Sequence, residues 1–502
     1  MFYGSFAYHP ATVADWHDVG RVTIDMVPDV ALLEIFDFYL TWAREEEEHN
    51  LIQTWHTLVH VCQIWRTIVF GSPRRLNLRL FCNGTTPVKE SLGVWPPLPI
   101  VIGEDLLGLP MENIIAALEH NDRVCDIWLA YTTKSQLEQV LPTMQRPFPE
   151  LTRLGLGFHP YYRDDFMWEL EGGISEKPVV PESFLGGSAP RLQHLELKSV
   201  PYPGLPKLLL SATGLVDLLL EDIPHSGYIS PQAMVRCLST LTSLESLVIG
   251  FKSPLCRPAR ETRPPHLHTR SILVALTYFR FKGLSEYLED LVTRIDAPLL
   301  DTLDIRFFHQ LIFDTPQLVQ FVDRSPNAQP PVEARIVFSS DQVEVTSSRM
   351  LPKDFALGVR CGQLDRQLSF LAQVCNSSFP EKFIPKVEHL YICGAHYDFK
   401  DQYSEDDIEA SEWLEVLHPF TAVKHLYLSR DLTNRMAPVL QELAGEVLPS
   451  LEKLLLWDLQ VHLSGPVQEA IGKFVAARQL SGHPIDVCQW DRKEDKWSEV
   501  DD

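Results

Sequence analysis

The sequence predicts an α/β chain. A small helical unit, residues 24–72, precedes an irregular solenoid with a curved parallel sheet, residues 120–490. Three observations predict it. Residues 24–72 carry a helical period that is apolar on two faces. An apolar-x-x-apolar-x-apolar unit recurs from Val124 to Leu456. Helical patterns fill the spaces between the later copies, and several open on Pro or Ser. Residues 1–23 show no sustained period. Residues 73–119 read as a connector with short strands and a helix over Leu106–His120, and 491–502 as a charged tail.

The first helix begins at Pro28, whose missing N–H costs nothing in an opening turn. Asp29 and Glu34 lie toward its positive end. Leu32, Ile35, Phe36 and Tyr39 form one stripe at helical spacing, and Leu33 and Leu40 lie off it. A second helix puts Leu51, Trp55, Leu58, Cys62 and Trp65 on one face and Val61, Ile64 and Ile68 on another, ending at Gly71-Ser72-Pro73. Helices apolar on two faces must bury both. Each large side chain buried contributes about 1.5–3 kcal/mol. Such a pair packs either inside its own domain or against a partner.

The order Pro28-Asp29-(x2)-Leu32-Leu33-Glu34-Ile35-Phe36-(x3)-Leu40, then Leu58-(x2)-Val61-Cys62-(x2)-Trp65-Arg66-(x)-Ile68, resembles an F-box. It is most similar to F-box proteins of mushroom-forming fungi (Basidiomycota). These continue into a segment like Arg75-Leu76-Asn77-Leu78-Arg79-Leu80 and on to Trp95-Pro96-Pro97-Leu98-Pro99-Ile100. The resemblance implies a Skp-type adaptor as partner and, through it, a cullin-RING ubiquitin ligase. It implies that Pro28, Leu32, Ile35, Phe36, Val61, Cys62, Trp65 and Ile68 contact the adaptor. The sequence departs from the family in Val27, where Leu is usual, and in the insert Thr41–Asn50 with Glu45-Glu46-Glu47-Glu48. A long spacer is tolerated where it loops into solvent, so the insert reads as solvated.

The repeat unit appears as Val124-Ile127-Leu129, Leu151-Leu154-Leu156, Leu192-Leu195-Leu197, Leu215-Leu218-Leu220 and Leu244-Leu247-Ile249. It continues as Leu273-Leu276-Tyr278, Leu300-Leu303-Ile305, Val387-Leu390-Ile392, Val423-Leu426-Leu428 and Leu451-Leu454-Leu456. Most starts recur near the roughly 20–29 residues of a leucine-rich repeat. The gap from Leu300 to Val387 is the length of three such units, with degraded copies expected at Ala334–Phe338 and Phe355–Val359. Helical patterns cover Pro231–Leu241, Ser285–Ile295, Pro316–Arg324, Leu364–Val374, Glu412–Leu417, Met436–Leu443 and Val467–Leu480. Strand plus helix, repeated, stacks into a leucine-rich-repeat-like solenoid. The alternative is a closed domain of unrelated α/β units. The Asn that follows the strand in the standard repeat is missing.

Side chains alternating with the apolar ones face the concave side. These are His194, Glu196, Lys198, Asp217, Glu221, Thr302, Asp304 and Arg306, then an aromatic-rich C-terminal set: His389, Tyr391, His425, Tyr427, Lys453 and Trp457. The C-terminal set is the candidate surface for a protein substrate; the alternative is a solvated sheet face.

The chain has 502 residues and a net charge of −23, with no basic stripe to suit nucleic acid. Its nine cysteines lack regular spacing and read as reduced thiols. No apolar run of about 20 residues suggests a membrane span, and Met1–Gly20 lacks the pattern of a secretory signal. The expected compartment is cytoplasmic or nuclear. No phosphate-binding glycine loop or nucleophile elbow is present, and the Gly155-x-Gly157 pair is too short for either. His56-(x3)-His60, His266-x-His268 and Cys393-(x2)-His396 each lack further metal ligands. The reading is a non-catalytic chain without cofactor or metal, acting as substrate receptor in an SCF-type ligase. Two other readings stay open. One is a scaffold that binds the adaptor without ubiquitin transfer. The other is an enzyme whose site is assembled from scattered residues.

Overall fold

The amino-terminal periodicity folds into three helices where the sequence suggests two. In the computed structural model these are α1 (Asp29–Glu46), α2 (Thr54–Val61) and α3 (Gln63–Gly71). The structure describes residues 24, 27–46, 54–83, 88–103, 111–158, 178–256, 270–310, 313–325, 331–348, 355–361, 364–379, 383–394, 410–457 and 465–490. The segment 1–23, residues 47–50 of the Thr41–Asn50 insert, Leu51 of the expected second helix, the loop histidines His266, His268 and His396, and the tail 491–502 lie outside these. So does the first part of the helix expected over Leu106–His120, of which Glu112–Leu118 is helical.

The break between α2 and α3 falls at Cys62. Its backbone is extended, with φ −158°, and its Sγ accepts a hydrogen bond from the Trp65 amide. Cys62 therefore caps a new helix instead of continuing the old one. Thiol capping is weak chemistry, which is why residue preference gives no warning of the break.

The chain divides into two compact units, Met1–Phe81 with Leu92–Pro99, and Cys82–Ser91 with Ile100–Asp502. The first has its own core of Leu32, Phe36, Leu40, Trp55, Leu58, Val59, Ile68 and Val69. The Trp55 indole donates to the Arg79 carbonyl at 3.0 Å. Trp95 stacks on His56, with centroids 4.8 Å apart, and meets Trp55 edge-on at 5.2 Å. The Trp-Pro-Pro segment thus folds back onto the helices.

The second unit is a long, mainly parallel sheet. From Ile100–Gly103 through Val124–Thr132, Arg153–Phe158, His194–Lys198, Asp217–Ile223, Ser246–Phe251, Tyr278–Gly283 and Thr302–Phe308, each strand pairs in parallel with its predecessor. The first of these strands lies in the stretch expected to be connector. Crossovers of one hand place their helices on one face of such a sheet. Burial agrees: Leu195 and Leu197, Leu218 and Leu220, Leu390 and Ile392 are inside, and the residues between them, Glu196, Leu219 and Tyr391, are only half-buried. The entry to each strand is fixed by the same bond. Val216 N–H donates to Gln193 C=O, Glu245 to Val216, Thr277 to Glu245 and Asp301 to Thr277, at 2.7, 2.8, 2.9 and 2.8 Å. This recurrence is the signature of a solenoid whose units bury one another. Helix starts follow the expected chemistry. Pro231, Pro316 and Pro466 sit in first turns, and Thr133 with Gln136 closes a capping box.

Two sequence readings need correction. In the copy at Leu273 the frame is Leu276-Phe279-Phe281, all buried, with Tyr278 on the helix-free face. The apolar Leu273 three residues earlier mimicked a start. The gap before Val387 is not three parallel units. Glu333–Phe338, Gln342–Ser348 and Phe355–Arg360 form an antiparallel meander inserted in reverse order. Phe355–Arg360 lies parallel to Thr302–Phe308, and Glu333–Phe338 parallel to His389–Gly394. The sheet then resumes through His425–Leu428, Lys453–Trp457 and Asp486–Trp490.

Gly155 and Gly157 have a packing role. A Cβ at Gly155 would lie 2.4 Å from the Trp128 ring, and one at Gly157 would lie 2.1 Å from the Ala130 carbonyl oxygen. Trp128 lies over the first glycine, and Arg153 covers the same ring at 4.7 Å.

Candidate functional site

In the first unit, α1 faces two ways. Leu32, Phe36 and Leu40 point into the core. Ile35, Phe38 and Trp42, at helical spacing on another face, are 55%, 75% and 48% exposed. Ile35 therefore leaves the stripe that sequence periodicity gave it. Val61 on α2 and Ile64 on α3 are also exposed, at 59% and 46%. Of the other adaptor candidates, Pro28 is exposed, and Cys62 and Trp65 are half-buried. Leu32, Phe36 and Ile68 are enclosed by their own unit, where Phe36 meets the Trp65 ring at 4.7 Å. Those three close the unit's own core, while Pro28, Ile35 and Val61 are exposed and Cys62 and Trp65 half-buried. Phe38 and Trp42 lie off the stripe through Leu32 and so fall outside the sequence-based candidates. The i, i+3, i+7 spacing from Ile35 was the available signal. An ion pair of Arg75 with Glu34 ties α1 to the segment after α3.

In this unit the two histidines at i, i+4 spacing do not converge on a metal position. His56 lies flat on Trp95, and His60 meets the same ring edge-on at 6.1 Å. Burial, and then His60, hold the His56 imidazole below its ordinary range. Among the described residues, no group of three His, Cys, Asp or Glu could hold a metal ion.

In the second unit, the helix-free face changes character along the sheet. Its middle is a field of compensated charge. His194 faces Asp217, Lys198 faces Glu221 at 3.5 Å, and Lys282 faces Asp222 at 2.7 Å. Arg280 and Arg306 hold Asp304 between them at 2.7 and 3.3 Å. Burial, with Glu221 beside it, raises the Glu196 carboxyl; burial likewise raises Glu344. A partner meeting this field finds each cation already facing an acid, so it gains little net charge attraction.

The C-terminal part is aromatic. His389 registers with His425 and Tyr391 with Tyr427. The ring centroids are 4.7 and 4.1 Å apart and each pair is tilted by only 14°. Those separations are close to the strand spacing, so the rings stand off the sheet like plates. Lys453 registers with His425 and is exposed. Trp457 pairs with Trp490, 6.0 Å between centroids. Trp490 also meets Tyr427 at 5.5 Å and Tyr391 at 5.8 Å. The five aromatic candidates therefore come together, and Trp490 joins them. Trp490 falls outside the sequence-based candidates because the last copy of the repeat pattern ends at Leu456; a Trp closing an alternating stretch, as Trp457 does, is its signal. Each Tyr and His plate turns one face to its partner ring.

A cavity of about 210 Å³ that includes open solvent is lined by Tyr228, Phe251, Ser253, Pro254, Leu284, Tyr287 and Phe308. No carboxylate, imidazole or thiol lines it. Among the described residues, no helix is long and apolar enough to cross a membrane.

No protein-family model matches the chain, and no curated protein matches it. Among solved structures the chain is similar to the leucine-rich repeat-containing protein LegL7 from Legionella pneumophila. The identity is 13% and the TM-score 0.27, over 79% of this chain and 97% of that one. The solenoid assignment rests on this chain's own register of strands and entry bonds.

Proposed function

We propose that the chain is the substrate-receptor subunit of an SCF-type cullin-RING ubiquitin ligase. The amino-terminal unit binds a Skp-type adaptor and the repeat sheet holds a protein target. The observation that carries this reading is the outward stripe of Ile35, Phe38 and Trp42, left in water after the unit has closed its own core. Isolated exposed apolar residues are ordinary, but a contiguous helical stripe of large ones marks an interaction face. The F-box resemblance of residues 24–72 names the partner.

The chain's task is then to hold a target beside a ubiquitin-loaded enzyme. The contribution is proximity and orientation, with no catalytic group of its own. The aromatic plates suit protein recognition, in which aromatic side chains are enriched. Co-purification from the native cell, with and without a proteasome block, tests the reading. A Skp-type adaptor and a cullin are expected in both preparations, and a ubiquitin-modified target is expected to accumulate under the block. Adaptor and cullin without any such target would favour the scaffold; neither would remove the ligase assignment.

A further inference from the structure

The His389 and His425 rings lie parallel, 4.7 Å apart, on adjacent strands. His389 Nδ1 is 3.4 Å from the Tyr427 hydroxyl. His425 Nδ1 is buried and has no hydrogen-bond partner. A proton on each ring would place like charges face to face, with one buried nitrogen left without an acceptor. We propose that this histidine stack is an acid-sensitive latch in the C-terminal part of the repeat sheet, closed when at least one ring is neutral and opened by protonation of both.

The surrounding charges bear on its midpoint. On its own strand and the entry to it are Glu388 and Tyr391; on the next are Lys424 and Tyr427. Beyond them lie Glu452, Lys453 and Asp486, and on the other side Glu333 and Arg335 in register with His389 and Tyr391. Glu388 is engaged by Lys424 at 2.9 Å, so that carboxylate is already compensated. Lys453 stands in register with His425 and opposes a positive ring. Burial, then His389, then Lys453 hold the His425 imidazole below its ordinary range. The sign follows. A histidine whose folded-state pKa is depressed takes up its proton more readily in the open form, so acid favours opening and neutral pH favours the closed stack. The opening would release the Tyr427 hydroxyl and loosen the plate beside Trp490, changing the surface offered to a target. The proposal stands on the sheet alone and is independent of the adaptor reading.

The test uses the full chain. Histidine ring resonances are followed from pH 7.5 to 5 and assigned with His389→Gln and His425→Gln. Hydrogen exchange of the strand His425–Leu428 is read over the same range, corrected for intrinsic pH dependence. His425 is expected to titrate below an ordinary histidine. In His389→Gln its proton affinity is expected to rise by about threefold or more. Protection of the strand is expected to fall on acidification in the native chain and to stay level in both variants. An ordinary His425 midpoint that ignores His389, or protection that falls equally in the variants, would overturn the latch. Because both side chains are only half-buried, the variants are expected to keep the neutral-pH exchange pattern, and that pattern is the check that they fold.

Discussion

Replacing Ile35 and Val61 together by Asp is expected to abolish capture of the full-length chain by a Skp-type adaptor, with a loss in affinity of about a hundredfold or more. Both side chains are more than half exposed, so the unit itself should keep its helices. Two buried carboxylates at the centre of an apolar contact would be unpaired, which is the costly case. Phe36→Ala gives the contrast. Phe36 is fully enclosed, and its truncation is expected to cost about 3–5 kcal/mol of stability in the first unit. Adaptor binding would be lost there only as helical signal and thermal stability are lost. If the Ile35/Val61 variant still binds, those two side chains are not docking contacts.

The second large effect is expected at Arg478, in the helix Pro466–Leu480. Its side chain is 3% exposed and reaches the carbonyls of Ala444, Leu448, Pro449 and Leu451 at 3.5, 3.1, 3.4 and 3.5 Å. It therefore fastens the turn between the helix Arg430–Glu442 and the strand Lys453–Trp457. Leu448 in that turn has φ +50°, a strained setting for a side chain of its size. Arg478→Met keeps the bulk and removes the donors. Each carbonyl left without a donor costs about 1–3 kcal/mol, less at Leu448, which keeps the Leu451 amide, and the loss is partly offset because no guanidinium need then be buried. A net loss of about 2–4 kcal/mol is expected, seen as faster hydrogen exchange in Lys453–Trp457 and Asp486–Trp490. Exchange around Ile100–Phe158 should be unchanged, since repeat units feel chiefly their neighbours. Unaltered exchange in the two C-terminal strands would show that the turn holds without its arginine.

Arg478 also marks where the sequence stops being legible. Nothing in Val-Ala-Ala-Arg-Gln-Leu distinguishes a buried arginine from a surface one, because its partners are carbonyls far along the chain. The repeat strands were legible because one period of burial runs through each of them. Leu195, Leu218, Leu247, Leu390, Leu426 and Leu454 all sit inside as their spacing requires. The stacking of His389 on His425 and of Tyr391 on Tyr427 was legible for the same reason, since a shared frame fixes the register. The meander of Glu333–Arg360 was not, because pairing order is a non-local property that alternation leaves open. At the amino end, two apolar faces on α1 were visible. Which of them closes the unit's own core was not: Ile35 and Phe36 are adjacent in sequence and end on opposite sides of that choice.

Calorimetric titration of the full-length chain with a purified Skp-type adaptor tests most directly whether the outward face of α1 is an interface. Saturable binding at one-to-one stoichiometry, with the negative heat-capacity change of apolar burial and its loss in the Ile35/Val61 variant, is the expected result. Absence of binding by the intact, folded chain would contradict it.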